Sequence, residues 1–165
     1  FYFVTTDQYD EAMDAVGRQV GRSRLWVLRF HDIAAPERGG RISTLLSGRE
    51  ASQMLDNITI TRQREAIITE DTGHIPHNPK VWHYRLTTGE LTQIAMHDPD
   101  RFGDLEQQPT RPFTYDREAS GVIDASDILG EGWYFITVQS HHDVGDTELV
   151  EGGQLLAIYY EFVEF

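Results

Sequence analysis

Three segments of this chain share one pattern, and that repetition limits what it can fold into. Phe3–Asp7 reads FVTTD, Ile67–Asp71 reads IITED and Phe135–Gln139 reads FITVQ: two apolar residues, a threonine, any residue, then an acid or amide. A second apolar run follows each past a polar loop: LWVLRF at Leu25–Phe30, VWHYRL at Val81–Leu86 and LLAIYY at Leu155–Tyr160. A third type, introduced by a glycine, occurs twice, RISTLL at Arg41–Leu46 and ELTQIA at Glu90–Ala95. A fourth precedes the first type, NITIT at Asn57–Thr61 and GVIDAS at Gly121–Ser126. Such runs, short, rich in β-branched and aromatic residues and bounded by turn chemistry, predict strands.

With the four types lettered A to D in chain order, the sequence reads BCD, ABCD, ABC. Internal repetition of four-stranded antiparallel units predicts an all-β chain and points to a β-propeller, which leaves only short protected edges. The rival is a β-sandwich, which need not repeat in register. On the propeller reading residues 1–165 form one partial domain of about two and a half blades. A first blade lacking its A strand covers about 1–48, a complete blade about 55–97, and a third lacking its D strand about 118–165. Natural propellers have roughly 4–8 blades, so a companion chain or a homo-oligomeric ring is expected to complete it. The helix-like stretches are Gln8–Val16 and a single turn at Gly48–Leu55.

At 165 residues the chain can bury a core of its own. Fourteen basic residues against 27 acidic ones leave a net charge of −13, which excludes a phosphate-backbone binder and suits cation sites. No apolar run reaches the ~18 residues of a membrane span. No cysteine is present, so disulfides and thiolate chemistry are excluded. The chain opens inside a strand pattern with no signal peptide, as a fragment or processed product would.

In an ABCD sheet the B–C and D–A loops share one face. The A–B and C–D connections are tight here (TRQRE, LGEGW, TTGE), whereas Asp7–Arg24, Asp71–Lys80, Gln139–Gln154 and His97–Gly121 are long. Long loops on a rigid scaffold carry binding residues. Asp7, Asp56, Asn57, Glu70, Asp71, Glu118, Gln139 and His141 all fall on or beside that face. Carboxylates with amide carbonyls suit Ca²⁺ or another hard cation rather than zinc. The plainer reading of any one of them is a turn cap at a strand end.

Other polar groups read as structure. His74 and His77 lie in a proline-containing loop as spacers, and Asp124-x-x-Asp127 makes a turn. His141-His142-Asp143 with Gly145-Asp146-x-Glu148 is either a metal loop or an exposed polar one. Asn57-Ile58-Thr59 matches a glycosylation acceptor but sits at a strand start. Trp26, Trp82 and Trp133 lie in strands and are assigned to the core. No phosphate loop, nucleophile elbow or H-E-x-x-H element occurs.

In order along the chain, MLDNITI, ITEDTG, KVWHYRLTTGELTQIAMHDPDRF, EASGVIDASDILG, VQSH and ELVEGGQLLAIYY resemble the carboxy-terminal part of the PhoX-like family. These are secreted bacterial calcium-dependent phosphatases and their relatives. The resemblance implies a six-bladed propeller with a phosphomonoesterase site built around calcium, with iron in the complete site. It implies export to the periplasm or beyond, commonly by the twin-arginine route. It assigns cation ligands to Asp56, Asn57, Glu70, Asp71 and Glu118 (the E-x-x-G element), and a lining role at the mouth to Gln139 and His141. A small phosphate ester is the implied substrate, and the catalytic residues stay unassigned. The alternative is a non-catalytic propeller module that binds calcium or a partner. Two departures are visible: Ser140 separates Gln139 from His141, and the family's Arg-Pro-Glu element and amino-terminal ligands, a cysteine among them, are not in the sequence.

Overall fold

A computed structural model describes residues 1–6, 23–149 and 151–161. Asp7 and the predicted helix at Gln8–Val16 lie outside the described residues. Strands dominate, and they form three separate antiparallel sheets. The chain divides into two compact units, Phe1–Leu55 and Asp56–Phe165. Among the described residues no helix is long and apolar enough to cross a membrane.

The first unit holds β1 (Tyr2–Thr5), β2 (Arg24–Phe30) and β3 (Gly40–Leu46) in that spatial order. Alternation along β2 buries Leu25 and Val27 and leaves Trp26 partly exposed, stacked on Phe3 with 6.5 Å between ring centroids. A 3-10 turn at Pro36–Arg38 connects β2 to β3.

The second unit contains two sheets. One runs in sequence order, β4 (Leu55–Ile60), β5 (Glu65–Glu70), β6 (Lys80–Arg85) and β7 (Leu91–Met96). The other has β8 (Arg117–Asp124), β9 (Trp133–Asp143) and β10 (Glu151–Tyr159), each pairing with the next. The three sheets thus contain the strands predicted as BCD, ABCD and ABC, in that order. The tight turns follow their residues. The β4–β5 turn closes through Arg64 N–H to Thr61 O (3.0 Å) with Arg64 at φ 62°. The β6–β7 turn closes through Gly89 N–H to Arg85 O (2.8 Å), at a φ of 78° that glycine adopts without strain.

The two sheets of this unit pack through one apolar cluster, Ile67, Val81, Ala119, Val122, Tyr134 and Ile136. At one end they also run side by side. Thr69 Oγ1 donates to Ser120 O (2.8 Å), and Asp71 forms an isolated antiparallel bridge with Glu118. Of the tryptophans assigned to the core only Trp82 is buried; Trp26 and Trp133 are partly exposed.

Two boundaries differ from expectation, and both matter for the site. The predicted Gly121 strand begins four residues earlier, at Arg117, so Glu118 stands within β8. The strand predicted to end at Gln139 continues to Asp143, and Gln139 and His141 lie in it rather than in a long loop. The extension is held by pairing of Asp143 with Glu151 and accommodated by a bulge at Glu151/Gly152.

Arg117 fixes the loops at this end. Its side chain is 1 % exposed. Its guanidinium donates to Ile75 O (2.8 Å), Pro76 O (3.1 Å), Gly103 O (3.4 Å) and Tyr115 O. Asn78 Nδ2 reinforces the knot by donating to His97 O and Gly103 O, both at 3.0 Å. These loops carry no regular ladder, so buried side chains supply what their carbonyls need. Replacing Arg117 by Ala strands several buried carbonyls at once and is predicted to destabilise the chain by roughly 3–5 kcal/mol. Arg117→Lys should recover only a minor part, because an ammonium cannot reproduce the planar fork. Urea denaturation midpoints at constant m-value check both; a Lys variant equal to the parent would contradict the account.

Candidate metal centre

The candidate site grows out of the seam between β5 and β8. Strand alternation sends neighbouring acids Glu70 and Asp71 to opposite sides. Asp71 stands opposite Glu118, and Asp56 enters from the start of β4. Each of the three offers a carboxylate oxygen, and those oxygens lie within 4.8 Å of one another. Among the described residues they form the single such group of His, Asp and Glu side chains. Asp71 Oδ1 also accepts from Gly73 N–H (2.9 Å), and Asn57 Nδ2 donates to Asp56 Oδ2.

Crowding of like charge shows in the titration of the group. Glu118 is 9 % exposed, and its carboxyl is pushed up to about 7. Burial is the first cause, followed by a hydrogen bond with Asp71 and the charges of Asp71 and Asp56; a bond from Ser120 opposes them. Asp56 is raised for the same reasons, burial first and then the charge of Asp71. Three adjoining carboxylates cannot all ionise cheaply, so the Glu118 carboxyl holds its proton to a higher pH than an ordinary glutamate. A hard divalent cation supplies the same compensation more fully and would release that proton on binding. The donor set is all oxygen and fits calcium-type chemistry.

Glu70 does not join the cluster. It is fully buried, and its carboxylate accepts from Trp82 Nε1 (2.7 Å), Lys80 N–H (3.0 Å) and His77 Nε2 (2.8 Å). The acid expected to be a ligand instead folds the Asp71–Lys80 loop back onto β6. His77, read as a spacer, is 5 % exposed and belongs to that anchor. His74 is exposed and lies 3.4 Å from Asp116.

Gln139 pairs in register with Glu118, and its Nε2 donates to Ser120 Oγ (2.8 Å). His141 N–H donates to Asp116 O (3.0 Å), and its Nδ1 meets Glu151 Oε2 at 2.7 Å. Burial pulls the His141 imidazole down, yet the Glu151 bond and the charges of Asp116, Glu151 and Glu118 outweigh it and leave it raised. His142 turns elsewhere, with Nδ1 2.9 Å from Ser140 Oγ and its ring edge-on to Phe113. Asp143 and Asp146 accept from Gly145 N–H (2.7 Å) and Glu148 N–H (2.9 Å), so this loop is made of local turns. Asp124 likewise accepts from Ser126 N–H (2.9 Å), as the turn reading required. Arg117 and Glu151 were not singled out from sequence; nothing in their local spacing marks them, since Arg117 reaches carbonyls 42 and 41 residues away and Glu151 meets His141 only when β9 and β10 pair.

No family model matches the chain, and no curated protein is significantly similar to it.

The titration of Glu118 fixes a pH dependence. The folded carboxyl, near 7, keeps a proton that an unfolded glutamate releases near ~4.3. This contribution therefore costs nothing below pH ~4 and destabilises progressively as pH rises towards and through 7. Without added metal the melting temperature should fall between pH 5 and 8. Calcium should raise it at pH 8 by more than at pH 5. Glu118→Gln should flatten the pH dependence and abolish most of the calcium response. Thermal melts of both proteins with and without 5–10 mM Ca²⁺ (about a saturating range for a ~10⁻⁴–10⁻³ M site) decide it. An unchanged calcium response in Glu118→Gln would contradict this assignment.

Proposed function

We propose that this chain supplies the carboxylate wall of a divalent-cation site in a calcium-dependent phosphomonoesterase of the PhoX-like type. The observation that carries the reading is the convergence of Asp56, Asp71 and Glu118 on one spot, with Glu118 held partly protonated by its neighbours. Keeping such a cluster without a cation costs stability, and a cation removes the cost. In support of a propeller, the three meanders draw on the same four strand types in the same order (BCD, ABCD, ABC), and we read them as blades of a partial, six-bladed ring.

In this reading Asp56, Asp71 and Glu118 hold the cation, and the side-chain carbonyl of Asn57 adds to them. The bound cation supplies charge neutralisation for the phosphoryl oxygens and polarisation of an oxygen nucleophile. Gln139 and His141 border the mouth, where an imidazole that takes up its proton more readily than an ordinary histidine favours an anionic ester. Glu70 and Arg117 act behind them by fixing the loops. A protein of net charge −13 draws an anionic substrate only through such local positive charge. The Arg-Pro-Glu element and remaining ligands would come from residues outside these 165, and export to the periplasm or beyond goes with the same proposal.

A second reading, a non-catalytic calcium- or partner-binding module, is favoured by one observation. The cationic groups of the surrounding loops serve the fold: Arg117 is spent on carbonyls, and Lys80 Nζ donates to Asn78 O (2.8 Å). Partner binding would engage β10, whose Leu155 is 70 % exposed on an edge strand of its sheet.

Hydrolysis of p-nitrophenyl phosphate by the intact gene product separates the two. Calcium-dependent turnover that falls by more than the ~10–100-fold typical of losing an outer-shell partner in Asp71→Asn supports the phosphatase. Calcium binding by calorimetry without any turnover supports the module. Absence of both removes the cation site itself.

A further inference from the structure

At the opposite end of the same sheets lies a cavity of about 540 Å³. Glu65 opens β5 and Glu70 closes it, so at ~3.3 Å per residue the cavity and the acidic trio stand roughly 17–20 Å apart. Its volume is that of a small-molecule pocket. The walls are aromatic and acidic: Tyr134, Tyr159 and Tyr160, with Glu65, Glu131 and Glu161. Among the described residues lining it Arg85 is the single cationic one, so three carboxylates face one guanidinium.

The backbone is shaped for this hollow. Gly132, at φ 83°, accepts from Tyr160 N–H (2.9 Å) and brings the end of β10 against the β9 turn. A Cβ there would sit 2.9 Å from both the Tyr159 ring and Tyr160 O, so a side chain would push this wall aside.

Acidic walls alone do not make a site, but Tyr134 adds an independent sign. It is 3 % exposed, it lines the cavity, and among the described residues its hydroxyl has no hydrogen-bond partner. Buried tyrosine side chains ordinarily place the hydroxyl on a protein partner; here it opens onto the cavity instead. Burial first, and then the neighbouring acidic groups, Asp124 and Glu65 foremost, pushes this hydroxyl up to about 12. It is therefore a neutral donor and acceptor set in a negative potential.

We propose that this cavity binds an extended organic cation, an aliphatic diamine or polyamine, with one ammonium between the tyrosine rings and the Tyr134 hydroxyl. A compact metal ion does not fit. Among the described residues only Asp56, Asp71 and Glu118 bring three ligand oxygens within 4.8 Å of one another; the three cavity glutamates do not converge in that way. Separated carboxylates match separated ammonium groups on a flexible chain, and aromatic faces favour alkyl ammonium ions. The carboxylates are already oriented: Glu65 by His83 Nε2 (3.0 Å), Glu131 by Gln63 Nε2, and Glu161 by the Tyr159 hydroxyl (3.1 Å).

The test is isothermal titration of the protein with 1,5-diaminopentane at 150 mM NaCl, a screening concentration at which diffuse attraction to an acidic protein is weak (Debye length about 8 Å). One-to-one binding is expected, with no heat from 1,5-pentanediol. Tyr134→Phe and Glu131→Gln should each weaken it by roughly 5-fold or more. Asp146→Asn makes the same charge change at a distant exposed turn and should leave it unchanged. The proposal is overturned by absent binding, by equal binding of the diol, by a loss in Asp146→Asn matching that in Glu131→Gln, or by unaltered affinity in Tyr134→Phe. Circular dichroism of each variant separates lost binding from lost folding.

Discussion

The seam between β5 and β8 is the constraint on which the candidate site depends. Two sheets that pack through apolar side chains also touch at the backbone, where Asp71 bridges Glu118 and Thr69 Oγ1 donates to Ser120 O. That contact puts acids from different sheets on one spot. It also makes the spot electrostatically unfavourable, as the raised carboxyls of Glu118 and Asp56 record. A fold tolerates such a cluster when its surroundings over-determine it. Removing one carboxylate would relieve the repulsion, so the cluster reads as a site held at some expense of stability.

What over-determines the cluster is a buried polar framework directly behind it. Glu70 gathers an indole, a backbone amide and an imidazole; Arg117 gathers carbonyls from loops distant in sequence. Each is adjacent in sequence to a member of the trio, Glu70 to Asp71 and Arg117 to Glu118. Because neighbouring strand residues face opposite ways, one residue of each pair anchors the loops while the other reaches the cluster. Anchor and candidate ligand are thereby coupled through the backbone. The two functions cannot be exchanged without turning the strand over.

The strands were legible because period-two alternation, β-branched content and glycine turns agree locally, and each predicted run has its counterpart. The acids were legible as a group, since Asp56, Asp71 and Glu118 recur beside strand ends. Less visible was which acid of a pair would turn inward. Glu70 and Asp71 look alike in sequence, and their difference is set by pairing with β6 and β8. The length of β9 was hidden for a similar reason: His141 and His142 have the composition of a loop, and partners across the sheet, Asp116 on one side and Glu151 on the other, hold them in a strand. Arg117 and His77 were missed because their partners are mostly backbone carbonyls of other loops and, for His77, a buried carboxylate seven residues back, contacts that leave no sequence pattern.

The central claim is that Asp56, Asp71 and Glu118 share one cation, and anomalous diffraction from crystals soaked in calcium, or in manganese as a stronger scatterer, tests it most directly. The account predicts a peak about 2.3–2.6 Å from a carboxylate oxygen of each of the three when calcium is bound, with the buried Glu70 carboxylate still on Trp82, Lys80 and His77. A peak bound by Glu70 instead, or a trio without density in crystals grown above pH 7, would contradict it.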